Sequence, residues 1–336
     1  MNQVVKSYLS TRLAILSEQL IDPAHCATVI SYELEEILSH FQCRLDAEND
    51  LYSLHNRLIG RALEDFSMLF RPFGGEEKDL LNFAVHWYEL SNLKTLIRGK
   101  FTGKSNHEIS NELLDLASFA ILPLEKLLTA DDPHEMMRML ETTAYASIVR
   151  QARRIYEEEH NLFSLDAAID RLFFNGVAQR IRFLKLEDRQ PLSELFGTLM
   201  DRINLLWLIR YRFSYNLTAA QSYYLLVTTG KKMHAGNLMQ LAKIETLDEL
   251  ITHLPAPLNQ LLENLNSLIA IENTMEKYVW SAASQTLKHS NSVLARVFAY
   301  VLLREAEIKL AHSIIKGKQL GLDLDLIKQA SIGPGA

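Results

Sequence analysis

The sequence predicts an all-α protein, and three observations predict it. Apolar residues recur at a period near 3.6 almost throughout, no stretch sustains a period of two, and one helical phrase occurs three times. The phrase runs from Glu89 to Lys100, from Asp201 to Arg212 and from Glu307 to Lys318. An acid opens each copy and apolar residues follow at seven and eight places. Bases then stand at nine places (Arg98, Arg210, Lys316) and at eleven (Lys100, Arg212, Lys318). The starts lie 112 and 106 residues apart, a spacing that implies three related subdomains. Proline-bearing breaks at 121–133 and 253–257 divide the chain into helical repeats 1–130, 131–254 and a shorter 255–336. Asp170 and Glu276 each stand 31 residues before the acid of their copy, and the first copy lacks such a counterpart.

Taken in order, Val4 to Leu20 has apolar residues at helical spacing, and Asp22-Pro23 separates it from a second helix over 24–40. Asp46 to Phe70 keeps the helical period, and Arg71 to Gly75 is a loop. The first phrase helix spans about 77–99. Ser105 and Glu108, three apart, form a capping box for a helix over 106–119. A turn at Asp131-Asp132-Pro133 opens the second unit, followed by a long helix over 134–160. Its charges gather at the end as Arg150, Arg153, Arg154 and then Glu157 to Glu159. That order is unfavourable for pairing along a helix and reads as a solvated or docking face. Ser164 to Leu186 is helical, Pro191 opens the second phrase helix, and Phe213 to Leu217 ends it. A helix over 221–229 and a short one capped by Thr246 precede the third unit. There a segment over 258–271, one from Glu276 to Leu287 and a phrase helix over 292–316 lead to Gly317 and a polar tail.

The bulk properties bound the function. A chain of 336 residues exceeds the usual size of a single core and accommodates three units. At 48% hydrophobic and 23% charged it has a globular composition, and a net charge of -6 supplies no basic excess for nucleic acid. Cys26 and Cys43 have no metal-ligand spacing and read as buried thiols in a reducing compartment. The first thirty residues carry no signal-peptide pattern, and no uncharged apolar run approaches the ~20 residues that span a bilayer. Work at a membrane would therefore require another protein to hold the chain there.

Within the first phrase Glu89, Leu93, Leu96, Ile97 and Lys100 share one side of a helix, an apolar stripe with an acid at one end and a base at the other. The terminal charges lie about 16 Å apart along the axis and cannot pair with each other. Glu89 and Lys100, Asp201 and Arg212, and Glu307 and Lys318 must each find partners elsewhere. The ninth-place base projects to the opposite side from the acid. Trp87, Trp207 and Trp280 read as core residues.

No catalytic motif survives inspection. Thr229-Gly230-Lys231-Lys232 resembles a phosphate loop, but no glycine stands five residues before Gly230, and Lys232 replaces the required Ser or Thr. His107-Glu108 and His134-Glu135 open like a zinc-protease helix, yet Asn111 and Arg138 occupy the place of the second histidine. Glu157-x-x-His160 has half the spacing of a di-iron site and no matching half. No catalytic residue, cofactor or metal is expected.

Trp87-Tyr88-Glu89-Leu90-Ser91-Asn92-Leu93-Lys94, Arg304-Glu305-Ala306-Glu307-Ile308 and the closing Ile315-Lys316-Gly317-Lys318 resemble the C subunits of bacterial and archaeal V/A-type rotary ATPases, which correspond to the d subunit of the vacuolar enzyme. The resemblance covers all three repeats, with one departure: Leu310 stands where the other copies have Asn92 and Asn204. It implies a funnel of three similar helical subdomains in a pseudo-threefold arrangement. It further implies a non-catalytic rotor adaptor, one copy per complex, between the soluble central shaft and the membrane proteolipid ring. Such an adaptor would sit on the cytoplasmic face without inserting into the membrane, and would transmit torque for H⁺ or Na⁺ transport. About such an axis Arg98, Arg210 and Lys316 would line a central opening as partner-binding groups. The plainer reading ties them to neighbouring helices or to solvent. An unrelated helical-repeat scaffold and an enzyme with a polar site between helices are the alternatives from other classes.

Overall fold

The computed structural model describes residues 3–21, 26–41, 51–130, 133–159 and 162–330. The fold is all-α. Among the described residues the only β feature is one antiparallel bridge between Thr229 and His234. The chain forms two compact units, a larger one from Met1–Glu77 with Ile181–Ala336 and a smaller one from Lys78–Arg180.

The chain begins with α1 (Gln3–Ser17), α2 (Cys26–Ser31) and α3 (Leu34–His40), so the helix expected over 24–40 is two helices. Glu33 and Glu36 form a capping box that starts α3 and accounts for the break. Two long helices then follow one another across a short turn on three occasions. They are α4 (Leu51–Phe70) with α5 (Gly75–Phe101), α10 (Leu162–Phe183) with α11 (Leu186–Ile209), and α16 (Leu268–His289) with α17 (Val293–Gln319). The second helix of each pair carries one copy of the phrase. Shorter helices fill the intervals: α6 (Asn106–Asn111), α7 (Leu124–Leu128), α8 (Pro133–Leu140) and α9 (Ala146–Glu159) after the first copy, and α12 (Ala219–Leu225), α13 (Ala235–Leu241), α14 (Leu247–His253) and α15 (Leu258–Leu261) after the second. Helix α18 (Leu324–Ala330) follows the third.

Each phrase helix packs antiparallel on the first helix of another pair. In the smaller unit α5 lies on α10, with Phe83 stacked on Phe173 at 5.2 Å and Lys94 Nζ 2.6 Å from Asp170. In the larger unit Arg202 of α11 meets Glu276 of α16 at 2.6 Å, and α17 lies on α4 through Tyr300 and Asp65 at 2.9 Å. The two acids that mark the upstream repeat, Asp170 and Glu276, thus both anchor the partner helix. Trp280 is buried, and Trp87 meets Phe173 and Phe174 in tilted ring contacts at 5.5 and 5.2 Å.

Several boundaries differ from the sequence expectation, each for a structural reason. Pro191 lies inside α11, which starts five residues earlier, near enough to the helix start that the missing N–H costs one bond at a half-buried position. Helix α6 stops at Asn111 rather than Phe119. Helix α12 ends at Leu225 rather than running to Thr229. In both cases a buried asparagine takes the backbone just beyond: Leu114 is held by Asn92 and Val227 by Asn204. The helix expected over 134–160 is broken between α8 and α9 where Tyr145 turns its hydroxyl inward to Glu89. The third phrase helix runs past the buried Gly317 to Gln319, and the tail contains α18 rather than only polar coil. Arg153 meets Glu141 at 2.5 Å. Asp22, His25, Cys43, Asp131 and Asp132, and the side chains of Cys26, Glu157 to Glu159 and His160, lie outside the described residues.

Candidate functional site

The three acids of the phrase are among the most deeply buried charged groups of the chain: Glu89 is 1% exposed, and Asp201 and Glu307 are 0% exposed. A buried carboxylate needs donors, and each of these finds them on a distant stretch of backbone. Glu89 accepts the amides of Ile121 (2.5 Å) and Leu122 (2.6 Å) on one oxygen and the Tyr145 hydroxyl on the other (2.5 Å). Asp201 accepts Lys232 on both oxygens (2.8 and 3.0 Å) and Met233 at 2.8 Å. Glu307 accepts the amide of Ile21 at 2.8 Å and pairs with Arg304 one turn earlier on its own helix. Every partner is a donor, as a carboxylate requires.

The electrostatics follow from this burial. Desolvation pushes the Asp201 carboxyl above its ordinary 3.8, against the pull of the Met233 and Lys232 amides. Burial likewise raises Glu307, with the Arg304 guanidinium opposing. Burial and then the Glu89 carboxylate push the Tyr145 hydroxyl far up, which keeps it a donor.

The loop Thr229 to Lys232 is accounted for by the same contacts. Its Lys232 amide donates to Asp201, an anion from its own chain, and its Lys231 amide donates to the carbonyl of Gly197 at 3.1 Å. A Cβ at Gly230 would stand 2.7 Å from the Asp201 carboxylate oxygen.

Three residues after the acid, Asn92 donates to the Leu114 carbonyl (2.8 Å) and accepts its amide (2.7 Å). Asn204 does the same with Val227 at 2.6 and 3.0 Å. The side-chain amide acts as one more rung of backbone. Leu310 takes this place in the third copy and is wholly buried.

In the first two copies the base at eleven places caps carbonyls. Lys100 donates to Leu128, the last residue of α7 (2.7 Å), and to Ala130 just beyond it (2.6 Å), and Arg212 to Leu217 (2.6 Å) and Ile244 (3.4 Å). Lys318 is half-buried. The residue before them is marked by neither charge nor period. Gly99 and Gly317 let Ile109 and Ile327, each ten residues on, approach so closely that a Cβ would lie 2.5 and 2.7 Å from the isoleucine side chain. The second copy has the buried Tyr211 there, and its helix widens into a π turn at Arg210–Ser214. The recurring glycine–isoleucine spacing is the one sequence signal for this contact.

The structure places the bases at nine places on the opposite side from the acids. Arg98 is paired with Asp166 through Nε at 2.8 Å, and Arg210 with Glu272 at 3.3 Å, yet their side chains remain 58% and 42% exposed. Asp166 and Glu272 each lie one helical turn before the upstream acids Asp170 and Glu276, so the two contacts are equivalent. Lys316 is exposed, and its charge adds to burial in lowering the nearby His312, which meets the His55 ring at 4.8 Å.

Comparison with known proteins identifies the family of the chain. A family model described as ATP synthase (C/AC39) subunit matches residues 9–330. Among the relatives named as C subunits of A-type ATP synthases, that of Halorubrum lacusprofundi is 26% identical over 83% of this chain and 83% of its own length. That of Methanocaldococcus jannaschii is 22% identical over 93% and 82%, and that of Methanosarcina barkeri 21% identical over 96% and 91%. The match runs through all three copies of the phrase, which removes the alternative of an unrelated helical scaffold. The chain with three buried carboxylates holding three stretches of backbone belongs to the ATP synthase (C/AC39) subunit family.

Proposed function

We propose that this chain is the non-catalytic central-stalk subunit of an A/V-type rotary ATPase or ATP synthase. In this reading it is an adaptor between the soluble shaft and the membrane proteolipid ring, one copy per complex, at the cytoplasmic face. It has three related subdomains about an approximate threefold axis, and it transmits torque. The observation that carries the reading is the repeated lock: acid to backbone amides in all three copies, joined in the first two by asparagine to backbone and base to carbonyls. These buried polar groups act on the chain's own backbone, an arrangement that resists shear between helices. Rigidity is what a torque-bearing part requires. No described helix is long and apolar enough to cross a membrane, so attachment through another protein fits. The names of the relatives support membership of an ATP synthase complex.

The exposed bases Arg98, Arg210 and Lys316 are the proposed partner-binding groups. Co-purification of tagged protein from detergent-solubilised native membranes tests the reading, and recovery of shaft subunits with a small proteolipid is the expected result. Recovery of neither, from membranes that contain the ATPase, overturns it. The variant Arg98→Glu, Arg210→Glu, Lys316→Glu should lose shaft binding. Adding Asp166→Lys and Glu272→Lys restores the two ion pairs within the chain. If that second variant also restores shaft binding, the bases serve the fold alone.

A further inference from the structure

The three phrase helices end in the same way, with one difference in the second copy. In the first, the amide of Lys104 returns to the carbonyl of Gly99 at 2.9 Å, just after Gly103 at a φ of 71°. In the third, Leu322 returns to Gly317 at 3.0 Å after Gly321 at 66°. In the second, Leu217 returns to Tyr211 at 2.8 Å after Asn216 at 53°. A left-handed residue closes each helix, a place that glycine and asparagine fill at least cost. Tyr211 is therefore the counterpart of Gly99 and Gly317. Its return spans six residues where theirs span five, so the second copy holds one extra residue, and the π turn at Arg210–Ser214 accommodates it. The next buried contact gives the same count: Leu114 lies 22 residues after Asn92, and Val227 lies 23 after Asn204.

With that residue allowed for, Ser222 stands where Ile109 and Ile327 stand. Each is the fifth residue after the returning amide, and each donates to the carbonyl four residues back, at Thr218 (2.9 Å), Ser105 (3.0 Å) and Asp323 (3.0 Å) respectively. The first and third copies thus pair a glycine of the phrase helix with an isoleucine of the helix that follows it, and the second pairs a tyrosine with a serine. The bulky member has changed sides. Tyr211 and Ser222 are both buried, and the Ser222 hydroxyl has no hydrogen-bond partner among the described residues. A buried hydroxyl without a partner gains nothing from its polarity, so this serine serves by being small. The π turn and α12 also pack on each other.

We propose that Tyr211 and Ser222 make the second copy's closing contact with knob and hole exchanged, and that the exchange keys α12 to its own phrase helix. The extra residue widens the helix end and gives the tyrosine its room. An isoleucine from α6 or α18 would collide with Tyr211, and the serine of α12 would leave Gly99 or Gly317 uncovered. Three similar repeats in one chain risk pairing the wrong segments as they fold, and reversing the contact in one of them removes part of that ambiguity. The key is a property of the chain alone and does not depend on the rotor reading.

Hydrogen–deuterium exchange of the full-length protein tests it at the Val227 amide, which Asn204 holds, with the Leu114 amide of the first copy as control. Ser222→Ile gives α12 the isoleucine of the other copies and should speed exchange at Val227 at least about 10-fold, leaving Leu114 unchanged. Tyr211→Gly should do the same by emptying the contact from the other side. The two changes together restore a glycine–isoleucine pair and should exchange more slowly than either alone. Where a single variant does not fold, recovery of a folded chain in the double variant decides in the same way. A double variant no slower than either single one overturns the exchanged contact. Ser222→Ala keeps the small size and should stay within about 2-fold of the unaltered protein; a larger change gives the hydroxyl a role and overturns the proposal as well.

Discussion

Replacing Asp201 by alanine tests the lock where its partners are clearest. The carboxylate is wholly buried and accepts the amides of Lys232 and Met233, both at 2.8 Å on one oxygen, with the other oxygen 3.0 Å from Lys232. A hydrogen bond to a charged group contributes about 1.5–3 kcal/mol, and a buried donor left without a partner costs about 1–3 kcal/mol. Two such donors would give roughly 3–6 kcal/mol. Desolvation of the carboxylate, the same effect that raises its pKa, offsets part of this. Asp201→Ala is therefore expected to destabilise the lock by about 3–4 kcal/mol. Asp201→Asn keeps an oxygen in the place where both amides converge and carries no charge to desolvate. It turns an NH₂ toward only the longer contact, so its expected cost is about 1–2 kcal/mol. A chain of two compact units need not unfold in one step. The assay is accordingly native-state hydrogen exchange at the Val227, Lys232 and Met233 amides, which reports opening of this lock directly. An alanine effect below about 1 kcal/mol, or an asparagine effect equal to it, would refute the assignment of a load to the carboxylate.

Further expectations concern other parts of the chain. Gly99→Ala pushes a methyl into Ile109 and should cost about 1–3 kcal/mol, and Ile109→Ala in the same chain should recover part of it in a double-mutant cycle; additive effects would disprove the contact. His55 is held down from 6.5 to about 4, chiefly by burial and then by His312, so the unfolded chain binds its proton more readily. Stability should therefore fall as pH drops from about 6.5 towards about 4, by up to about 3 kcal/mol from this group. His312 acts in the same direction, while the raised carboxyls of Asp170, Asp201 and Glu307 gain protons in the folded state and oppose it. His55→Phe should flatten the acid limb of a urea-midpoint profile, and parallel profiles would rule the pair out as its source. Asp166→Ala and Glu272→Ala break half-exposed pairs and should each cost no more than about 1 kcal/mol by chemical denaturation.

The sequence by itself determined the all-α class, the run of most helices and the three copies of the phrase, because helical period and capping are written in residues close along the chain. Ser105 and Glu108 cap α6, and Thr246 caps α14, as their spacing predicts. It also determined that the terminal charges of each phrase need partners elsewhere, since eleven residues of helix keep them apart. Only the tertiary structure decided what those partners are. Glu89, Asp201 and Glu307 bind the backbone of Ile121, Leu122, Lys232, Met233 and Ile21, and a backbone N–H is the same whatever residue bears it. No letter of the sequence marks it. For the same reason α6 and α12 end earlier than their periodicity predicts: Asn92 and Asn204 withdraw Leu114 and Val227 from their helices through bonds that span 22 and 23 residues. The pairing of Arg98 with Asp166 and of Arg210 with Glu272 required knowing which helix lies against which. The closure of the third copy by Ile21 required bringing the chain's two ends together, a contact beyond the reach of any local pattern.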